Sequence, residues 1–382
     1  ARASNLVVRA RGAGASLRAR FAADGARGTA EPPPLGAARL TGTLRGSLER
    51  LQLDASATLE SAPLALTANG TLEPRRGRAD LALRIPETPL DAVQPGRAIP
   101  VLADTVTQLR GSLAGEGRAR YADGAKRAEL SLALREADVV TPSATLRGVS
   151  GVVTFLGPPG VTTPPGQHLA MAAIEGPLPL EDGLLVFRLE PDAVLHLEQA
   201  GWRLAGGRVQ TSGRVPLAAN ERTVTLTVED LDVATLLESI AFEGLSGSGT
   251  LSGTIPLRQR GERLLVENGQ LTATATGTLR YRRPGAAASG GGQLDLLLGV
   301  LDDFRYDALS LGLDGDLAEP MAMTIKLRGR NPTYQGGRPV VFNVTIEAPL
   351  AGLLRTGRST YRIPPAIEKR LEAMGLHEPA GR

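Results

Sequence analysis

Toward the end of the chain, Met321, Met323, Ile325 and Leu327, and then Phe342, Val344 and Ile346, alternate strictly with polar or small residues. Successive side chains of a β-strand point to opposite faces, so this spacing predicts strands with one apolar face. It excludes a helix, whose apolar positions recur every three or four residues. The same alternation recurs across 81–85, 130–134, 224–228, 294–298 and 309–313. If neighbouring strands pair as a meander they must share a face, because a slip of one residue would turn every apolar side chain to water. Leu226, Val228, Leu294, Leu296, Leu309, Leu311, Met321, Met323, Ile325, Leu327, Phe342, Val344 and Ile346 are therefore expected on one apolar face.

With 42% apolar and 22% charged residues the chain has the composition of a folded protein, yet only 3% of it is aromatic. Compact β-sandwich cores are usually anchored by Phe, Tyr and Trp, whereas thin faces of Leu, Val and Ala suit an extended sheet that curls on itself. The expected fold is mostly β: a long, curled antiparallel sheet forming an open amphipathic groove, with few short helices. A strand of six or seven residues would span roughly 20 Å, and ~25 such strands at ~4.8 Å would run on the order of 120 Å.

Turn signals between the alternating runs include Asn69-Gly70, Asp123-Gly124, Asn268-Gly269 and Asp314-Gly315, all of hairpin type. Short helices are expected near 101–109 and 233–242, a turn at 350–354, and a C-terminal helix after Pro364-Pro365 with Ile367, Leu371 and Met374 on one face. A loose Gly-rich repeat begins at Leu40, Leu109 and Leu245, and the last two copies follow an expected helix. Three segments follow: 1–108, 109–244, and 245–382 with the terminal helix. Loops are expected at 157–166, with its four prolines, and at 282–292.

Little in the chain suggests chemistry. There is no cysteine, and the three histidines, His168, His196 and His377, have no partner at a metal-ligand spacing. Asp302, Asp303, Asp307, Asp314 and Asp316 form the densest acidic group, but they lack the spacing of a calcium loop, and Asp314-Gly-Asp316 reads as a turn. His196 beside Glu198 has the look of outward strand residues. Gly247-Ser-Gly249 continues into a strand, not into the helix a phosphate loop requires. No catalytic residue, metal or cofactor is assigned, and an enzyme is not expected. Forty-three basic residues against 40 acidic give a net charge of +3, and the Arg, Ala and Gly excess is spread along the chain, so nucleic acid is not an expected partner. No window is long and apolar enough for a spanning helix, and the chain opens Ala-Arg-Ala without a signal peptide. The expectation is a piece of a longer protein whose anchor lies upstream.

From Leu231 onward the residues resemble the C-terminal region of the YdbH family of AsmA-like proteins of Gram-negative bacteria. The resemblance rests on Gly244-Leu-Ser-Gly-Ser-Gly-Thr-Leu-Ser-Gly-Thr-Ile-Pro-Leu257, Glu267-Asn-Gly-Gln-Leu271, Phe304-Arg-Tyr306 with Leu309, Leu327-Arg-Gly-Arg-Asn-Pro332, Gly337-Arg-Pro-Val-Val-Phe-Asn343 and 350–354, in that order. Residues 1–230 share only the general AsmA-like style of amphipathic strands, and 361–374 depart from the family pattern. The resemblance implies a periplasmic bridge, anchored in the inner membrane, that carries phospholipid toward the outer membrane with acyl chains on the apolar face. It also implies a small outer-membrane lipoprotein as partner at the C-terminal end. An open sheet ends in unpaired N–H and C=O groups, so strand addition is expected there, with Val340, Ser359, Tyr361 and Ile363 as the candidate edge. The alternative is a translocation-and-assembly-type β-protein that assists outer-membrane protein insertion. A charge at Ile325 or Leu226 is expected to block lipid passage without unfolding an open trough.

Overall fold

A computed structural model of the protein describes residues 5–13, 16–26, 36–103, 105–158, 160–176, 179–239, 244–261, 263–282, 300–333 and 335–349. Among these, 21 strands join in one antiparallel sheet that does not close into a barrel. The chain divides into two compact units. Unit one holds the described residues through Ala172 together with Leu185–His196; unit two holds Ala173–Leu184 and the described residues from Leu197 on.

In unit one the strands are β1 (Asn5–Ala13), β2 (Ser16–Ala26), β3 (Ala38–Gly46), β4 (Leu51–Leu59), β5 (Ala65–Glu73), β6 (Arg78–Pro89), β7 (Gln108–Ala122), β8 (Ala125–Val140) and β9 (Thr145–Gly157). Each pairs with the next in sequence, which is the expected meander. The strands β10 (Gln167–Glu175), β11 (Leu180–Glu190) and β12 (Val194–Leu204) run between the two units in sequence.

Unit two continues with β13 (Gly207–Pro216), β14 (Glu221–Asp232), β15 (Leu245–Ser248), β16 (Thr250–Arg260), β17 (Arg263–Ala273), β18 (Gly277–Tyr281), β19 (Phe304–Asp316), β20 (Pro320–Arg330) and β21 (Val340–Pro349). The pairing runs β13, β14, β16, β17, β19, β20, β21, while β15 and β18 form a side branch that rejoins at the start of β19. Gly249 makes the fork possible. Its φ is +117°, and a Cβ there would fall 2.1 Å from the Tyr306 hydroxyl oxygen, which donates to the Ser248 carbonyl at 2.7 Å.

Apart from the short β15 and β18, the strands are longer than the expected six or seven residues, reaching 16 in β8, or roughly 50 Å at 3.3 Å per residue. Bulges bend them. Register shifts interrupt β2/β3 between Ala23 and Ala26, β8/β9 on both sides of Ala137, β14/β16 between Val228 and Leu231, and β17/β19 between Val266 and Gly269. Each brings a residue at positive φ whose N–H is lost to the ladder, and each time an oxygen from a nearby side chain accepts it. Gly25 donates to Glu60 Oε1, Glu136 to Ser150 Oγ, Gly148 to Asp138 Oδ1, Asp230 to Ser252 Oγ and Asn268 to Asp314 Oδ1, all at 2.9–3.0 Å. A buried orphan N–H costs ~1–3 kcal/mol, so these acceptors are what make mid-strand bends tolerable.

Several local expectations change. Of the four hairpin dipeptides, only Asp123-Gly124 makes a two-residue turn, joining Ala122 to Ala125. Asn69-Gly70 lies inside β5, Asn268-Gly269 forms the β17 bulge and Asp314-Gly315 lies inside β19. The helix expected at 101–109 is instead α1 (Pro95–Ala98) and a 3-10 turn at Pro100–Leu102, each opened by a proline, and Gln108 already begins a strand. The second helix, α2 (Val233–Ser239), starts where expected, with Asp232 Oδ1 accepting both the N–H and the hydroxyl of Thr235 at 2.7 Å. The turn at 350–354 and the helix after Pro365 lie outside the described residues.

Candidate functional site

Residues directly opposite one another on paired strands share a face, so the registers convert the alternation into rows running across the strands. In unit one such a row crosses nine strands: Val8, Phe21, Gly42, Ala55, Ala68, Leu83, Gly117, Leu130 and Phe155. Every member is apolar or glycine. One pleat over, on the other face, the row reads Val7, Ala22, Thr41, Ser56, Thr67, Arg84, Glu116, Ser131 and Thr154. The two faces are thus chemically opposite from β3 to β9. Past Val8, which is exposed, the apolar row is half-buried along its whole length.

In unit two the equivalent row is Val228, Gly253, Leu271, Leu311, Ile325 and Val344. Its exposure rises toward the last strand: Val228 is 1% and Leu271 3% exposed, Leu311 and Ile325 are half-buried, and Val344 is 45% exposed. The buried end belongs to a cluster with Val209, Leu226, Leu251, Ile255, Met321 and Met323, covered in part by Val233, Leu236 and Leu237 of α2. A second cluster gathers Phe304, Tyr306 and Leu327, against which Leu309, Val340 and Phe342 pack, with the Phe304 and Phe342 rings edge to face at 5.4 Å. Burial raises the pKa of the Tyr306 phenol, which stays a hydrogen-bond donor.

The registers and burial thus bring Leu226, Val228, Leu309, Leu311, Met321, Met323, Ile325, Leu327, Phe342 and Val344 to one face, and Ile346 stands opposite Met323 in register. Leu294, Leu296, Ser359, Tyr361 and Ile363 lie outside the described residues. Unit one's rows were missed as a site because Gly and Ala dilute the alternation there; the signal was present in Leu81, Leu83 and Ile85 and in Leu130, Leu132 and Leu134.

Charge is confined elsewhere. Arg118 holds Asp80 at 2.6 Å on the polar face, and this hydrogen bond keeps the carboxyl below its ordinary pKa. Four of the five acidic residues at 302–316 are taken up structurally. Asp303 pairs with Arg280 at 2.8 Å and with Arg305, Asp307 pairs with Arg328, and Asp314 accepts from Asn268. Asp316 accepts from the Ala318 N–H and from Arg263 at 2.7 Å, and both lower its pKa. His196 faces Glu190 at 3.3 Å, not Glu198. Among the described residues no group of His, Asp and Glu is arranged to hold a metal, and no helix is long and apolar enough to cross a membrane.

The YdbH-like family, described as intermembrane phospholipid transport protein YdbH, matches residues 2–372. The chain belongs to this family. The match extends the resemblance from the C-terminal region to nearly the whole sequence, including the nine-strand row of unit one and residues 361–372, which had looked like a departure. No curated protein and no solved structure matches the chain. Family membership makes phospholipid the cargo and intermembrane transport the activity of the group.

Proposed function

We propose that the protein carries phospholipid between inner and outer membrane with acyl chains lying along the apolar rows and head groups left in water. The observation that carries this reading is the continuity of those rows: within each unit they cross strand after strand without an ionisable side chain, as a sliding aliphatic chain requires. Burying a methylene is worth about 0.8 kcal/mol, so ten methylenes would hold a tail by roughly 8 kcal/mol before entropy losses, without any directional polar site. The seams at 108/109 and 244/245 serve as module boundaries in this reading, each following a short helical stretch. An upstream anchor in the inner membrane belongs to the same reading.

Toward the other end of the sequence, β21 pairs with β20 among the described residues, and Val341 of β21 is 70% exposed. This favours strand addition by a small outer-membrane lipoprotein around Val340, with 359–363 as the second candidate edge. Photocrosslinkers at Met323 and Phe342 should capture lipid while those at Thr324 and Asn343 stay unlabelled; equal labelling of both faces would sink the transport reading. A pulldown comparing the full chain with one cut after Leu354 tests the edge. Capture by neither form would refute strand addition.

A further inference from the structure

Two adjoining rows on the polar face of β1–β3 hold five arginines, Arg9 opposite Arg20, and Arg11 opposite Arg18 opposite Arg45, while a sixth on that face, Arg39, is held by Asp24 at 2.7 Å. All five are exposed, and none has an ion-pair partner among the described residues. The nearest carboxylate in register on that face is Asp54 of β4, opposite Thr43. Like charges directly opposite one another destabilise a sheet. Elsewhere opposed arginines have a carboxylate on at least one member: Arg120, opposite Arg127, shares Asp80 with Arg118; Arg260 and Arg263, opposite one another, pair with Glu221 and Asp316; and Arg305, opposite Arg330, shares Asp303 with Arg280. In these two rows of β1–β3 neither member of an opposed pair has such a carboxylate, so the repulsion is kept whole.

The arrangement says what would neutralise it. Strands lie ~4.8 Å apart and same-face residues ~6.8 Å apart along each, so the guanidinium groups form a planar lattice and do not converge on one point. A plane of cations suits a plane of anions better than a single phosphate. The same face also holds Val7, 53% exposed, beside Ala22, in a shallow pocket of roughly 450 Å³ flanked by Arg9, Arg20, Thr41 and Thr43. Exposed apolar area set among arginines is the composition of surfaces that settle at the boundary between head groups and acyl chains. We infer that this face docks on the anionic phospholipid head-group layer of a membrane. It lies on the opposite side of the sheet from the transport rows and does not depend on them.

The test is co-sedimentation of the full chain with vesicles of equimolar phosphatidylglycerol and phosphatidylcholine, and with pure phosphatidylcholine, at low and high salt. The expected result is binding to the anionic vesicles that weakens with salt and falls about fivefold for each Arg→Gln change among the five. The matched change R75Q/R76Q/R78Q at the exposed turn should leave binding unaltered. Thermal melting controls for folding: removing the opposed charges should leave the melting temperature equal or higher at low salt. Equal sedimentation of the quintuple Arg→Gln variant and the native chain would overturn the inference. So would inositol hexakisphosphate binding to the native chain without any vesicle binding, which would mark a site for soluble anions only.

Discussion

The two units write the same alternation with different side chains. In unit one the apolar rows interleave Gly42, Ala55, Ala68 and Gly117 with Leu83, Leu130 and the rings of Phe21 and Phe155, and the face stays half-buried. In unit two Leu, Val, Ile and Met fill nearly every position, and Val228, Leu271 and Met321 are buried within one cluster that α2 helps to cover. Small residues leave too little volume to close a curled sheet, while large ones supply the contacts that close it. A strand pattern shared by two units thus does not set how open a face is; side-chain size does. From Leu311 of β19 onward the row of unit two is as open as that of unit one, and at Val344 of β21 it is more so.

The comparison breaks most sharply under a buried charge. Leu226→Asp should cost about 4 kcal/mol or abolish folding, because an ion in a closed core finds no partner, whereas Leu83→Asp in the half-open face of unit one should cost less than about 1.5 kcal/mol. This corrects the expectation that a charge at Leu226 would be tolerated, and keeps it for half-buried Ile325. Urea denaturation of the three variants measures it, and equal midpoints would erase the distinction between the units.

The small residues of unit one can be tested next. A Cβ at Gly117 would lie 2.2 Å from the Glu129 carbonyl oxygen, so Gly117→Ala should destabilise by about 2 kcal/mol although no cavity or charge is involved. Thermal melting with retained far-UV spectrum is the readout. A smaller loss, about 1 kcal/mol, is expected when a bulge loses its acceptor: Ser150→Ala in unit one and Ser252→Ala in unit two should be alike, since the device is the same in both. Hydrogen exchange at the Glu136 and Asp230 amides should quicken in the corresponding variant only.

The smallest effect is that of pH. Asp316 has a folded pKa below the ordinary carboxyl value, so its contribution is complete above ~pH 4 and is lost as pH falls through the folded pKa. Asp316→Asn should lower stability at neutral pH and flatten the acid limb of the pH–stability curve. An acid limb of unchanged slope would assign the acid sensitivity to other carboxylates.

Much of this was legible in advance because a strand reports its faces every second residue. Met321, Met323 and Leu327 were placed together from spacing alone, and their registers agree. The Asn-Gly and Asp-Gly dipeptides misled for a definite reason. They signal a backbone at positive φ, and a mid-strand bulge such as that at Asn268 uses this as readily as a hairpin does. Nor could spacing reveal that the Asn268 amide would be met by Asp314, 46 residues away, because that acceptor depends on which strands become neighbours.

Period-two chemistry in the sequence determined that the chain forms amphipathic strands, which face of each is apolar, and that no titratable group interrupts those faces. Pairing decided the rest: the fork at Gly249, the positions of the bulges, which arginines meet a carboxylate and which, like the five on β1–β3, do not, and where the apolar face is closed or open. The physical reason is that a side chain's direction is a local property of the backbone, whereas its burial and its charge partners belong to residues brought beside it from elsewhere in the chain.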